Sequence, residues 1–206
     1  MNTKNNIKSH WEKIYTTKSE NEVSWFQDYP ETSITLIENL HLPKSANIID
    51  IGGGDSHLVD ALLEKGYQNI WILDISAAAI EKSKIRLGKK ALSVHWIVTD
   101  VTEFIPPVKF DLWHDRAAFH FLKDESQIEK YQKIAVAYIS GYLIMGTFSN
   151  NGPNKCSGLP ITKYSEEALT AQLANYFKKI RCFTVDHPTP FGTKQNFLFC
   201  IFKREN

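Results

Sequence analysis

The chain has 206 residues, 43% of them hydrophobic and 12% aromatic, and a formal net charge of +1. That is enough apolar material for one core, so a single domain over residues 1–206 is expected, and the balanced charge supplies no broad attraction to nucleic acid or an anionic membrane. Three cysteines (Cys156, Cys182, Cys200) without CxxC spacing argue against a disulfide framework and a zinc cluster, and for a reducing cytoplasm.

Met1 to Lys8 is polar and lacks the apolar core of a signal peptide, and no apolar run has the length of a membrane span. In His10 to Tyr15, Trp11, Ile14 and Tyr15 fall on one face of a helical turn. After a polar gap comes the aromatic stretch Val23-Ser24-Trp25-Phe26-Gln27. Residues 1–29 therefore read as an N-terminal flap, either packed in place or lying over a ligand. Pro30 opens a helix that Pro43 closes. Ile48 to Ile51 is a β-branched strand suited to a parallel sheet covered on both faces, and it runs into Gly52-Gly53-Gly54. Asp55 or Ser56 caps the next helix, which stops at Gly66.

Asn69 to Asp74 is a second strand, followed by a helix from Ser76 to Gly88. Ser93 to Val98 is a third strand and Phe110 to His114 a fourth. Leu122 to Ile139 is a long helix, with Tyr131 and Ala135 on its buried stripe and Gly141 at its end. Tyr142 to Phe148 is a fifth strand. Residues 149–163 are a loop on the expected substrate side. Ser165 caps a helix with Leu169, Leu173 and Phe177 facing inward. Ile180 to Asp186 and Asn196 to Lys203 follow each other without a helix, so they form an antiparallel hairpin. The expected fold is α/β: a Rossmann-like, doubly wound, seven-stranded sheet, mostly parallel, with an antiparallel C-terminal hairpin.

In such sheets ligands sit at the carboxyl ends of the strands. The residues placed there are Asp50 to Ser56, Asp74, Asp100, and His114-Asp115-Arg116. Asp74, at the end of the second strand, is positioned to accept both hydroxyls of an adenosine ribose, unless it only caps a helix. A dinucleotide turn wants G-x-G-x-x-G, but the third glycine falls on His57, and Asp55 opposes a pyrophosphate at the helix N-terminus. An NAD(P)-dependent oxidoreductase is thereby disfavoured. No Gly-Lys-Ser/Thr follows, so this is not a P-loop.

Taken together, Asp50-Ile51-Gly52-Gly53-Gly54-Asp55-Ser56, Leu73-Asp74-Ile75-Ser76, Asp100-Val101 and Phe110-Asp111-Leu112-Trp113 resemble, in order, the motifs of the class I S-adenosylmethionine-dependent methyltransferases. Ser56 stands where the family's third glycine usually falls. Val23 to Gln27 and His114 to Leu122 are similar to a bacterial methyltransferase-domain subgroup, itself distantly similar to the elongation-factor lysine methyltransferases. The resemblance implies S-adenosylmethionine as cofactor, held by Trp25, Asp50, Gly52, Gly53, Gly54, Asp74, Ile75, Asp100, Val101, His114 and Arg116. It implies methyl transfer to a small-molecule or protein side-chain acceptor, with no nucleic acid partner expected.

The sulfonium methyl is electrophilic by itself, so the protein's work is mainly positioning, and a base is needed only for a protonated acceptor. His114 and Asp115 are the candidate catalytic groups. Arg116 pairs with the cofactor's carboxylate or with a core acid. Trp11, Tyr15, Cys156, His187 and Gln195 are expected on the substrate side. No metal is expected, since His114 and His120 match no common ligand spacing. A non-catalytic S-adenosylmethionine-binding module is the third alternative, and either a monomer or a dimer fits the chain.

Overall fold

The computed structural model describes the backbone of residues 3–205 and the side chains of residues 6–205, so Met1 and Asn2 of the polar N-terminal stretch lie outside the described residues. Among the described residues nine strands form: β1 Asn47–Ile51, β2 Asn69–Asp74, β3 Val94–Val98, β4 Phe110–Arg116, β5 Ile139–Phe148, β6 Lys155–Cys156, β7 Leu159–Pro160, β8 Phe177–Pro188 and β9 Lys194–Arg204. Seven of them make one sheet in the order β3-β2-β1-β4-β5-β9-β8, and β6 pairs with β7 alone. β1 to β5 run parallel, and β9 inserts antiparallel between β5 and β8. The expected architecture is the observed one. The strand order reverses between β1 and β4, which opens a crevice above their carboxyl ends.

The helices are α1 Thr3–Thr17, α2 Glu31–Glu38, α3 Leu58–Glu64, α4 Ala77–Leu87, α5 Glu125–Tyr138 and α6 Glu166–Leu173. One face of the sheet, with Ile48, Ile70, Ile72, Leu112 and Ile144, packs against Ile34 and Ile37 of α2 and Leu58, Val59 and Leu62 of α3. The other, with Ile49, Ile51, Trp113, Leu143 and Met145, packs against Tyr131 and Ala135 of α5 and Leu169 and Leu173 of α6. Alternating side chains thus feed two separate cores, as a parallel sheet covered on both faces requires.

Several boundaries differ from the sequence reading. α1 is much longer than the turn His10–Tyr15. α5 starts at Glu125, where Asp124 and Gln127 form a capping box, so Leu122 is buried in the preceding loop. The helix gives way to β5 at Ile139, before Gly141. Phe177 is the first residue of β8, inward-facing but in a strand. Of the two candidate caps of α3, Ser56 does the work, its Oγ accepting from the Leu58 N–H at 3.1 Å. The 149–163 loop contains the small β6–β7 hairpin, turned by Ser157 and Gly158 with φ of 51° and 78°.

The cysteines require a correction. Cys182 and Cys200 are directly opposed in the β8–β9 register and are disulfide-bonded, with Cα atoms 4.2 Å apart. Sequence spacing gave no hint of it, because strand pairing alone brings the two together. Only Cys156 is a free thiol. Among the described residues no helix is long and apolar enough to cross a membrane. A bridge across 18 residues limits the unfolded chain by about 3 kcal/mol in the loop-entropy picture. Cys182→Ser is expected to lower unfolding stability in urea by up to about that amount. An unchanged midpoint under non-reducing conditions would show that the bridge adds nothing.

Candidate active site

The crevice at the switch between β1 and β4 is a pocket whose floor is the glycine turn. The turn is stitched to β2, the Gly52 and Gly53 N–H groups donating to the Leu73 carbonyl at 2.7 and 3.3 Å. Gly52 has φ of +71°, a left-handed angle that a side chain strains, and a Cβ there would lie 3.0 Å from the Ala118 Cβ. A Cβ on Gly53 would fall 2.3 Å from Asp50 Oδ2, and one on Gly54 2.5 Å from the Ala79 Cβ and 2.7 Å from Asp74 Oδ2. All three positions need glycine for closeness of approach. Gly52 and Gly53 line the pocket, whereas Gly54 sits behind the wall and supports it.

Asp74 ends β2 facing the pocket. Its Oδ2 accepts from the Gly54 N–H at 3.0 Å and its Oδ1 from the Ser76 N–H at 2.8 Å. Burial pushes its pKa up to about 6, and the two backbone N–H groups only partly offset that. Asp100, after β3, accepts at Oδ1 from the N–H and hydroxyl of Thr102, both at 2.8 Å. Asp100, Val101 and Ile75 line the same wall.

β4 sorts its own residues by alternation. Leu112, His114 and Arg116 share the face toward α2 and α3; Trp113 and Asp115 share the face toward α5. His114 is buried, its Nδ1 2.7 Å from Asp50 Oδ1 and its Nε2 2.9 Å from Ser33 Oγ. Arg116 reaches the pocket, donates from Nη1 to the Trp25 carbonyl at 3.2 Å and lies 4.8 Å over the Phe197 ring. Its Nη2 is buried without a hydrogen-bond partner, and burial lowers its pKa to about 10. Neither of the neighbouring acids takes the pairing considered for it: Asp50 is bonded to His114 and Asp115 points away.

Asp115 does not line the pocket, which corrects its placement as a catalytic candidate. Its Oδ1 accepts from the Ala118 and Phe119 N–H groups, each at 3.0 Å, and its Oδ2 from the Tyr131 hydroxyl at 2.8 Å. It is a buried acid that fixes the turn after β4. That turn holds Ala117 at φ of 68°, a strained angle for a residue with a Cβ, at the pocket edge.

The N-terminal segment forms the remaining wall. Trp11, Tyr15 and Trp25 pack edge to face, with Phe121 against Trp11. Glu12 fastens α1 to α4, accepting from the Ala77 and Ala78 N–H groups at 2.7 and 3.1 Å and from the Ser76 hydroxyl at 3.1 Å. His187 and Gln195 were expected to line the pocket and do not. They pin the aromatic strap from behind, His187 Nε2 lying 2.9 Å from the Ser24 carbonyl and Gln195 Nε2 donating to Ser24 Oγ at 3.1 Å. Cys156 does line the pocket, and burial pushes its thiol up to about 12, so it is no nucleophile at neutral pH.

Residues 48–137 match the family model described as "Methyltransferase domain". The matched stretch runs from β1 into α5 and carries the glycine turn, Asp74, Asp100 and β4, so this part of the chain is similar to methyltransferase domains. The chain is 28% identical over 123 residues to the mouse (Mus musculus) eEF1A lysine and N-terminal methyltransferase, a match covering 58% of this chain and 17% of that protein. It is 30% identical over 108 residues to malonyl-[acyl-carrier protein] O-methyltransferase 1 of Ilyobacter polytropus, covering 52% of this chain and 40% of that one. The chain thus spans less than half the length of either relative. Among solved structures, 1,6-didemethyltoxoflavin-N1-methyltransferase of Burkholderia thailandensis superposes with a TM-score of 0.71 at 18% identity, over 97% of this chain and 88% of that one, which shows a shared fold.

Among the lining residues, Ser33 and Ile7 were passed over in the sequence, because only tertiary structure delivers them. Ser33 comes from α2, upstream of every motif. Asp55, expected at this strand end, does line the pocket, and Arg86 and Lys82 of α4 hold it at 2.9 and 3.7 Å. Ile7 completes the wall together with Val23 and Phe26 of the expected aromatic stretch. Gly53→Ala is expected to destabilise the domain by roughly 1–3 kcal/mol, since the added carbon meets a carboxylate that His114 holds in place. Urea unfolding measures it, and stability equal to the parent chain would show that the turn is not closed on Asp50.

Proposed function

We propose that this chain transfers the methyl group of S-adenosylmethionine to a small-molecule or protein side-chain acceptor. The observation that carries the reading is the adenosine-shaped set of groups on one pocket wall: Asp74 after β2, Asp100 and Val101 after β3, and the side-chain-free floor of Gly52 and Gly53. A carboxylate at Asp74 suits ribose hydroxyls, and Asp100 with the Val101 N–H suits an adenine edge. The glycines admit a backbone-close amino-acid end, with Trp25 and Arg116 above it. Asp55 keeps a carboxylate beside the turn, where a pyrophosphate would need positive ends.

When bound, S-adenosylmethionine supplies an electrophilic methyl on a sulfonium. The chain's own contribution is to orient and to exclude water. The edge-to-face cluster of Trp11, Tyr15, Trp25 and Phe121 makes the acceptor side apolar, which keeps the reacting atoms dry and favours a planar or aliphatic acceptor group. Flap residues 1–29 belong to this role, and the 149–163 loop contributes Cys156 to the same side. The nearly balanced charge, +1 overall, favours an acceptor other than a large nucleic acid. A cytoplasmic location goes with this reading.

Calorimetry with S-adenosylhomocysteine and with NADPH tests the assignment. Binding of the first only is expected, and binding of NADPH only would overturn it. Asp74→Ala is expected to weaken S-adenosylhomocysteine binding by roughly 2–3 kcal/mol, the weight of hydrogen bonds to a charged group. Unaltered affinity in a folded variant would remove Asp74 from the site. The pH dependence has a defined sign. The carboxylate form of Asp74 is the binding form, and burial raises its pKa to about 6. Affinity should be flat above about pH 7 and fall by about tenfold per unit below about pH 6. A profile that stays level down to about pH 4.5 would contradict the role.

A further inference from the structure

The pocket contains a hydrogen-bonded chain of three side chains from three separate elements: Ser33 of α2, His114 of β4 and Asp50 of β1. Ser33 Oγ is 2.9 Å from His114 Nε2, and His114 Nδ1 is 2.7 Å from Asp50 Oδ1. All three line the pocket, yet none is more than 3% exposed. β1 and β4 hold Asp50 and His114 directly opposite each other in register, and the first turn of α2 lays Ser33 over the imidazole. The other charged groups around His114 are Arg116, two residues along the same strand face, Asp115 on the opposite face, and Asp74 at the end of β2.

Resting on the methyltransferase reading, we propose that Ser33, backed by His114 and Asp50, takes the proton released by the methyl acceptor. A carboxylate can only accept, so Asp50 fixes the proton of His114 on Nδ1. Nε2 is then an acceptor and the hydroxyl of Ser33, which lines the pocket, donates to it. As the acceptor atom bonds to the methyl carbon, the pair of the old methyl–sulfur bond stays on sulfur. The acceptor's bond to hydrogen breaks, that proton passes to Ser33 Oγ, and the Ser33 proton passes to His114 Nε2. The resulting imidazolium faces the Asp50 carboxylate, so the charge has a partner. Ser33 is the proton-accepting group and His114 and Asp50 position it. The acceptor class follows: an amine, hydroxyl or thiol that must lose a proton, rather than a carboxylate that arrives ionised.

Nitrogen-15 NMR of histidine-labelled protein, without ligand, reads the tautomer directly. The proposal requires His114 protonated on Nδ1 and bare on Nε2, moving toward Nε2 protonation in Asp50→Asn. A wild-type His114 protonated on Nε2 would overturn it, because Ser33 would then be an acceptor only. Ser33→Ala should bind S-adenosylhomocysteine within about twofold of wild type, while transfer of labelled methyl from S-adenosylmethionine into lysate fractions falls by about 100-fold. Ser33→Ala transferring at the wild-type rate would also overturn it. Failure of wild type to bind S-adenosylhomocysteine is a separate result, which sinks the methyltransferase reading while the tautomer still decides the hydrogen-bonded chain.

Discussion

The site depends on one steric constraint, the absence of side chains where β1 turns toward α3. Asp50 and Asp74 stand at the ends of neighbouring strands, and the chain must pass between them within van der Waals distance of both. Gly53 clears Asp50 and Gly54 clears Asp74 and Ala79. That passage lets the Gly54 N–H reach Asp74 and leaves Asp50 free to hold His114. A side chain at either glycine would displace an acid, and each acid organises a different half of the pocket. The two halves are therefore coupled through a few backbone atoms.

The second organising fact is the two-residue period of β4. Adjacent residues of one strand serve different layers: His114 and Arg116 belong to the pocket, and Trp113 and Asp115 to the α5 core. Asp115 is buried as deeply as any catalytic acid, and burial raises its pKa to about 6 as it does for Asp74. Burial and a shifted pKa do not distinguish a working acid from a structural one; the face of the strand does. The bond from Tyr131, itself accepting from the Trp113 indole at 2.9 Å, identifies Asp115 as a support for the turn that places Ala117 and Ala118 against the glycines.

Much of this was legible in the sequence because it is local. β-branched runs ending in acids mark the strand ends, and the glycines mark the turn, so the positions of Asp74 and Asp100 follow from the strand pattern, while Val101 came with the family resemblance. The strand's alternation already puts His114 and Asp115 on opposite faces, but which face meets the pocket is settled only by the helices packed on each side, and the sequence reading placed both at the site. What was hidden is non-local. Nothing near Ser33 marks it, because its role exists only once α2 lies on β4. His187 and Gln195 carry polar groups near the right strand ends, but they reach the site through Ser24 and not directly. The Cys182–Cys200 bridge depends on a hairpin register that no cysteine spacing encodes.

The bonds from His187 and Gln195 to Ser24 join residues more than 160 positions apart in sequence. The aromatic strap is thus held by the last hairpin of the sheet, and β9 is also the strand that sits between β5 and β8. During synthesis, the motifs around the glycine turn emerge early, while the strands that anchor the strap come last. Every acid of the adenosine wall lies in or just after β1 to β4, whereas the acceptor side is closed only once β8 and β9 have paired and reached Ser24. Vectorial folding therefore makes the pocket's closure a late event, set by long-range strand pairing rather than by the local motifs that define the ligand.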